Sequence, residues 1–199
     1  RGIIGLRLNT SAATLLNGDY VQIMNGSSFE LGQNGLTYFL RFNSDFIRLD
    51  KTNKQFVNVE VIQGEKDQQA FTGSGNPLQS YNLITKEPTD QFLVEVLVDG
   101  QLWKLEDSIY DMNNGAKAAM IKSSVNGGLT VFFGNNQFGE PPALGSRIIV
   151  TYVKTRGVAG NIGGKQLDIK FIDPGTDSSG EQVDLNEILA MNISRNPMF

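Results

Sequence analysis

The chain has 199 residues, 40% hydrophobic and 19% charged, with 17 Lys and Arg against 21 Asp and Glu for a formal net charge of -4. That balance argues against nucleic acid, because neutralising phosphates needs a basic face. The absence of Cys excludes disulfides, thiolate zinc sites and cysteine nucleophiles, and the absence of His removes the commonest general base and the commonest transition-metal ligand.

In chain order, the sequence opens at Arg1 rather than Met, as expected of a processed chain or a piece of a longer protein. No charged start followed by an apolar stretch marks a signal peptide, and no polybasic amphipathic stretch suggests a membrane surface. No apolar run approaches the roughly 20 residues that span a bilayer. Ile4, Leu8, Ala12, Leu15 and Leu16 have the spacing of one side of a short helix, which Asn17-Gly18 would stop. Tyr20 to Met24 alternates as a strand and Asn25-Gly26 signals a turn. Residues 36–42 and 45–50 read as two strands with a tight Asn43-Ser44 connection. In residues 55–64, Val57, Val59 and Val61 share one face, the pattern of a strand with one covered side and one wet side.

Residues 73–77, Gly-Ser-Gly-Asn-Pro, read as a surface loop. Residues 91–107 give the clearest hairpin, with two β-rich runs flanking Asp99-Gly100, a preferred type I′ pair. Trp103 lies on its return strand. Residues 108–117 suggest a helical turn ending at Asn113-Asn114-Gly115, and residues 118–134 a second hairpin around Asn126-Gly127-Gly128. Residues 146–155 and 165–173 read as strands, and 147–154 is expected to be an edge available to a neighbouring chain. After Asp173-Pro174 comes a polar linker. In 184–194, Asp184 and Glu187 have capping-box spacing for a short helix, while a strand fits as well. The sum is a mainly β protein with one or two short helices (α+β), built from packed antiparallel sheets of roughly nine to eleven short strands. A boundary at residues 86–91 allows two small β subdomains, 1–88 and 89–173, followed by a linker and tail over 174–199.

Motifs for chemistry are weak. Residues 157–165 superficially resemble a phosphate-binding loop, but Ala159 stands where the leading glycine belongs and Gln166 where a Ser or Thr would hold magnesium. Asp173, Asp177, Glu181 and Asp184 lack the spacing of a calcium loop and read as a solvated acidic linker. Glu60, Glu95, Glu106 and Asp107 are nominal carboxylates for glycoside hydrolysis. Glu60 and Glu95 alternate with valines, however, as wet-face residues do. The aromatic residues could form a sugar-binding platform, yet most fall at alternating strand positions where core packing is the default. Asn9, Asn25 and Asn192 begin N-x-Ser/Thr triplets, which carry little weight without a secretory signal. No catalytic residue, cofactor site or metal site is assigned.

One long segment has a specific pattern. It reads Val131-Phe132-Phe133-Gly134-Asn135, Phe138-Gly139, Pro141-Pro142 and Gly145, then Ile148-x-Val150-x-Tyr152, and closes with Gly157, Gly160, Asn161 and Ile162. This order and spacing resemble the phage baseplate J-like proteins and the related wedge proteins of contractile tails. The strand-turn-strand with Trp103 and the segment 17–43 resemble the family's earlier parts, so the resemblance spans most of residues 15–172. Asn136 departs from the pattern, standing where the family has glycine. Asparagine tolerates left-handed backbone better than most residues.

The resemblance implies a non-enzymatic structural part of a virion tail baseplate, assembled in the host cytoplasm. Its partners would be other copies of itself and other wedge proteins, with no nucleic acid, membrane, small-molecule substrate or cofactor. It marks residues 89–173 as the baseplate J-like subdomain and implies that the chain continues past Phe199 into a helical region. Two rival readings are a carbohydrate-binding β adhesin module of a virion and, more distantly, a carboxylate-dependent glycan hydrolase.

Overall fold

The computed structural model describes residues 2–9, 12–32, 35–85, 87–124, 128–155 and 169–194. It is mainly β, and the described residues form seventeen strands, two four-residue helices and one 3-10 turn, Ile109–Asp111. The chain forms two compact units, Arg1–Gly64 with Gly157–Phe199, and Glu65–Arg156. The division differs from the expected boundaries at 88/89 and 173/174. Residues 65–83 carry two strands that pair with Arg147–Lys154 and Leu129–Phe133, while strands after 169 pair with the N-terminal segment.

The first unit contains two sheets. One has six strands in the spatial order Ile169–Phe171 (β14), Ser28–Leu31 (β3), Leu36–Arg41 (β4), Val57–Gln63 (β6), Gly2–Leu8 (β1) and Leu189–Ser194 (β17). The other has four, in the order Gln182–Val183 (β16), Gly175–Asp177 (β15), Tyr20–Met24 (β2) and Phe46–Asp50 (β5). One apolar cluster joins them, drawing Ile4 and Leu6 from β1, Val21 and Ile23 from β2, Phe29 from β3, and Tyr38 and Leu40 from β4. The Phe29 ring stacks on Tyr38 at 5.5 Å and tilts against Phe171 at 5.6 Å.

Several sequence expectations are corrected here. Gly2–Leu8 is a strand and not part of a helix, which is confined to Ala12–Leu15 (α1). Ile4, Leu6 and Leu8 alternate, and β1 lies between β6 and β17, so its backbone is satisfied by neighbours on both sides. The two strands flanking Asn43-Ser44 form as expected, and the connection between them changes sheet. It carries the chain from β4 in the larger sheet to β5 in the smaller one, as Asn25-Gly26 carries it from β2 to β3. The two crossings lie side by side. Asn25 N–H donates to Asp45 O at 2.7 Å, Asn25 Oδ1 accepts from Phe42 N at 2.8 Å, and Gly26 N–H donates to Leu40 O at 2.8 Å.

The expected polar linker after Asp173 is ordered as β15 and β16. Asp177 is buried there and accepts hydrogen bonds from Ser179 Oγ and from the amides of Asn17, Ser179 and Glu181. The ambiguous tail is both helix and strand. Asp184 caps Leu185–Ile188 (α2) by accepting from Asn186 N at 2.8 Å, and β17 follows directly.

The second unit is a seven-stranded sheet, ordered Glu65–Thr72 (β7), Arg147–Lys154 (β13), Thr89–Val98 (β9), Gln101–Glu106 (β10), Ala118–Ser123 (β11), Leu129–Phe133 (β12) and Ser80–Leu83 (β8). The hairpin at Asp99-Gly100 forms as expected, with both residues at positive φ (50° and 80°). The pairs are antiparallel except β10 with β11, which run parallel. Residues 118–133 do form an antiparallel pair, although Asn126 and Gly127 of its turn lie outside the described residues. Strand β13 is not an edge: it pairs with β7 along one side and β9 along the other. Its partner β7 (EKDQQAFT) hid from sequence reading because it lacks β-branched alternation. Inside, Val96, Trp103, Val131, Phe133, Ile148, Val150 and Tyr152 are buried, and Trp103 meets Phe133 edge-on at 5.5 Å.

The sheet curls until its end strands face each other, giving a nearly closed barrel. Side chains span the seam between β7 and the β8 segment. Gln69 Nε2 donates to Ile84 O at 2.9 Å, and Gln69 Oε1 accepts from Ile84 N at 3.3 Å. The Tyr81 hydroxyl lies 2.8 Å from Thr72 O, and its ring tilts against Phe71 at 5.1 Å. Gln69 Nε2 also reaches the buried Tyr152 hydroxyl at 2.9 Å. That hydroxyl lies 3.3 Å from Asp67 Oδ2, which in turn pairs with Lys154 Nζ at 2.9 Å. Among the described residues, no helix is long and apolar enough to cross a membrane.

The Lys154 ammonium holds the Asp67 carboxyl below the usual carboxylate range. A carboxylate lowered in the folded state adds stability above its unfolded pKa of about 3.9, lost as pH falls through the folded value. Wild-type stability, measured by urea unfolding, is therefore expected to fall more steeply below about pH 4 than that of Asp67→Asn. Parallel pH profiles would contradict the pairing.

Candidate functional site

The motif-bearing segment connects β12 to β13, and most of its amides donate within the chain. Phe133 ends β12 fully buried, with its N–H donating to Gln79 O at 3.0 Å. The chain then turns tightly. Asn135 N–H donates to Phe138 O at 3.2 Å and Asn136 N–H to Gly139 O at 2.8 Å. Asn135 Oδ1 accepts from the amides of Gln137 and Phe138 at 3.1 and 2.9 Å. This is the side-chain turn that Asn forms readily. A Cβ on Gly134 would collide with the carbonyl oxygens of Phe138 and Gly139. Gly139 has φ of 68°, and a Cβ there would press on Met112 Sδ.

The connection is also tied to its surroundings. Gly139 N–H donates to Asn113 O at 3.1 Å and Glu140 N–H to Ala116 O at 2.8 Å. Phe138 packs into a small cluster with Met112, Ala118 and Met120. On the other side, Leu78 N–H donates to Gly134 O at 2.9 Å, Gly145 N–H to Gly73 O at 2.9 Å, and Gly73 N–H to Ser146 O at 2.8 Å. Pro141 is half-buried and Pro142 buried.

The carbonyl of Pro142 accepts from Gln79 Nε2 at 2.7 Å. Gln79 is itself buried, and its amide is saturated. Nε2 also reaches Asn76 O at 3.2 Å, while Oε1 accepts from Ser74 N at 2.9 Å and lies 2.6 Å from the Tyr81 hydroxyl. Leu144 stands at the tip of the connection, 82% exposed. Tyr152 follows on β13, buried in the barrel. Gly157, Gly160 and Asn161, and with them the phosphate-loop-like stretch 157–165, lie outside the described residues.

This geometry is architectural. The amides of 135–140, 145 and 146 donate to oxygens of the chain itself, and two prolines have none to give. Sequence reasoning missed Gln79, Gly73 and Asn113, which anchor the connection from outside its motif. A lone Gln among turn residues gives no signal of burial.

Glu60 pairs with Arg41 at 3.1 Å, Glu106 with Lys104 at 2.7 Å, and Glu95 and Asp107 are exposed. Asp173 accepts from Ser28 N and Oγ, each at 2.7 Å, and Glu181 from Asn17 Nδ2 at 3.0 Å. The acidic residues of 173–184 therefore serve turns and caps. Among the described residues, no group of three acidic side chains is gathered to hold a metal. Asn9 donates to Glu187 O and Asn25 braces Phe42 N, so both side chains have structural work.

Asn136 has φ of 72°, in the left-handed region its departure from glycine requires it to reach. Asn136→Gly is expected to leave thermal stability within about 0.5 kcal/mol, while Asn136→Val costs about 1–2 kcal/mol. Equal melting of the two variants would contradict this backbone assignment. Comparison with protein-family models, curated proteins and solved structures finds no match for this chain.

Proposed function

We propose that the chain is a structural component of the baseplate wedge of a contractile phage tail or a related injection machine. It acts by associating with itself and with other wedge proteins, in the tail baseplate of a virion assembled in the host cytoplasm, and it carries no catalytic centre. The observation that carries this reading is the ordered motif from Val131 to Tyr152, with its continuation at Gly157, Gly160 and Asn161. Its described part forms a connection bonded to itself and to two neighbouring segments, which suits a part that must keep its shape under load. Leu144 at its tip is a side chain through which a neighbour could be contacted. Obligate interfaces of such assemblies often exceed roughly 2,000 Å² and recruit apolar side chains of this kind.

The adhesin reading needs exposed aromatic faces. Trp103, Phe29, Phe133, Tyr38 and Tyr152 are buried, Phe46 and Phe56 are approached by the Arg48 and Arg7 guanidiniums at 5.7 and 4.7 Å, and Tyr110, 77% exposed, is set edge-on to Phe138 at 5.5 Å. The scaffold reading therefore has the better support.

Mass spectrometry of purified particles, with density mapped at the tail end, tests the proposal. The protein is expected in mature tails at the baseplate, and its absence would sink the reading. A glycan array is expected to show no specific binder, whereas a specific hit would favour the adhesin.

A further inference from the structure

A strand at the end of a sheet exposes a row of main-chain donors and acceptors, and proteins guard such rows with charge, proline or brevity. The sheets of the described residues end on six strands. Strands β14 and β16 have only three and two residues. Strand β8 has four and faces the barrel seam. Strand β5 carries Arg48 and Asp50, and β7 carries Glu65, Lys66 and Asp67. Strand β17, LAMNIS, is six residues long and holds no charge, proline or glycine. Among the described residues its only strand partner is β1.

We infer that the edge of β17 facing away from β1 pairs antiparallel with β17 of a second copy, joining two six-stranded sheets across a two-fold axis. The pattern of the strand is self-complementary for this pairing. Leu189, Met191 and position 193 lie opposite Leu8, Leu6 and Ile4, the core-facing residues of β1, while Ala190 and Asn192 lie on the other face. A register centred on Met191 sets Met191 against its counterpart and Leu189 against position 193. Leu189 and Met191, opposite the core-facing Leu8 and Leu6, then lie at the join between the copies. On the outer face Ala190 meets Asn192, with no like charges opposed.

A single six-residue strand pair is smaller than the roughly 1,600 Å² of a standard stable interface, so the dimer is weak, with Kd about micromolar to millimolar. The inference rests on strand chemistry alone. It stands or falls separately from the baseplate reading.

Sedimentation velocity on the 199-residue chain, from about 10 µM to 1 mM, tests it. The wild type is expected to shift from monomer to dimer across that range. A190E/N192E opposes like charges across the axis and is expected to stay monomeric. Position 190 lies opposite Arg7 within the sheet, so a carboxylate introduced there has a cation across the strand pair, which favours folding. A190E/N192K opposes unlike charges and is expected to regain the dimer. A wild type that stays monomeric, a double-Glu variant that dimerises like wild type, or a Glu/Lys variant that fails to recover would each overturn the inference. Amide exchange on the wild type needs no variant: the amides of 189–194 are expected to slow as concentration rises, and no change would also overturn it.

Discussion

The side-chain amide of Gln79 is the interaction on which the second unit's motif-bearing end depends. It sits buried between the turn at 73–78 and the connection at 134–146, and it bonds to both. A buried amide left unpaired costs about 1–3 kcal/mol, so its partners must stay where they are. That requirement fixes the carbonyl of Pro142, and through Ser74 and Tyr81 it fixes the approach to the barrel seam. The Tyr81 hydroxyl has one proton and two acceptors within reach, Thr72 O and Gln79 Oε1. The amide that holds the connection and the hydroxyl that helps close the seam thus belong to one network.

Closure of that barrel has a consistent chemistry. The strands β7 and β8 do not form a main-chain ladder with each other. Gln69 instead presents its own donor and acceptor to the backbone of Ile84, in the manner of a peptide group. The chain from Lys154 through Asp67 and Tyr152 to Gln69 ties the same side chain to β13. In the first unit the comparable role falls to Asn25, which braces two chain crossings where β2 and β5 give way to β3 and β4. In both units an amide side chain completes hydrogen bonding where the regular ladder stops, and a sequence rich in asparagine and glutamine supplies such groups.

The fold class and many strands were legible in the sequence because their valines, isoleucines and aromatics alternate, as in β6, β9 and β13. What could not be read had other causes. Strand β7 is polar because its side chains line a half-wet edge, and β15 and β16 are short pieces whose main apolar contribution is Val183, with Asp177 bonding the turn between them. Gly2–Leu8 mimicked a helix because Ile4 and Leu8 satisfy both periods, and only its two flanking strands decide between them. The site was legible at its glycines, where Gly134 and Gly139 allow close approach, and at Asn136. It was illegible at Gln79, Gly73 and Asn113, since their role follows from contacts distant in sequence. The strained Leu78, at φ 57°, has no sequence signature either.

A connection this fully bonded behaves as part of the framework and not as a grasping loop, which is the claim the account of the site rests on. Amide hydrogen exchange resolved to single residues tests it most directly. The amides of Asn136, Gly139, Glu140 and Gly145 are expected to exchange nearly as slowly as those of β13, because each donates to a carbonyl of the chain. Exchange at these four positions as fast as in an unstructured peptide, with β13 still protected, would contradict the account.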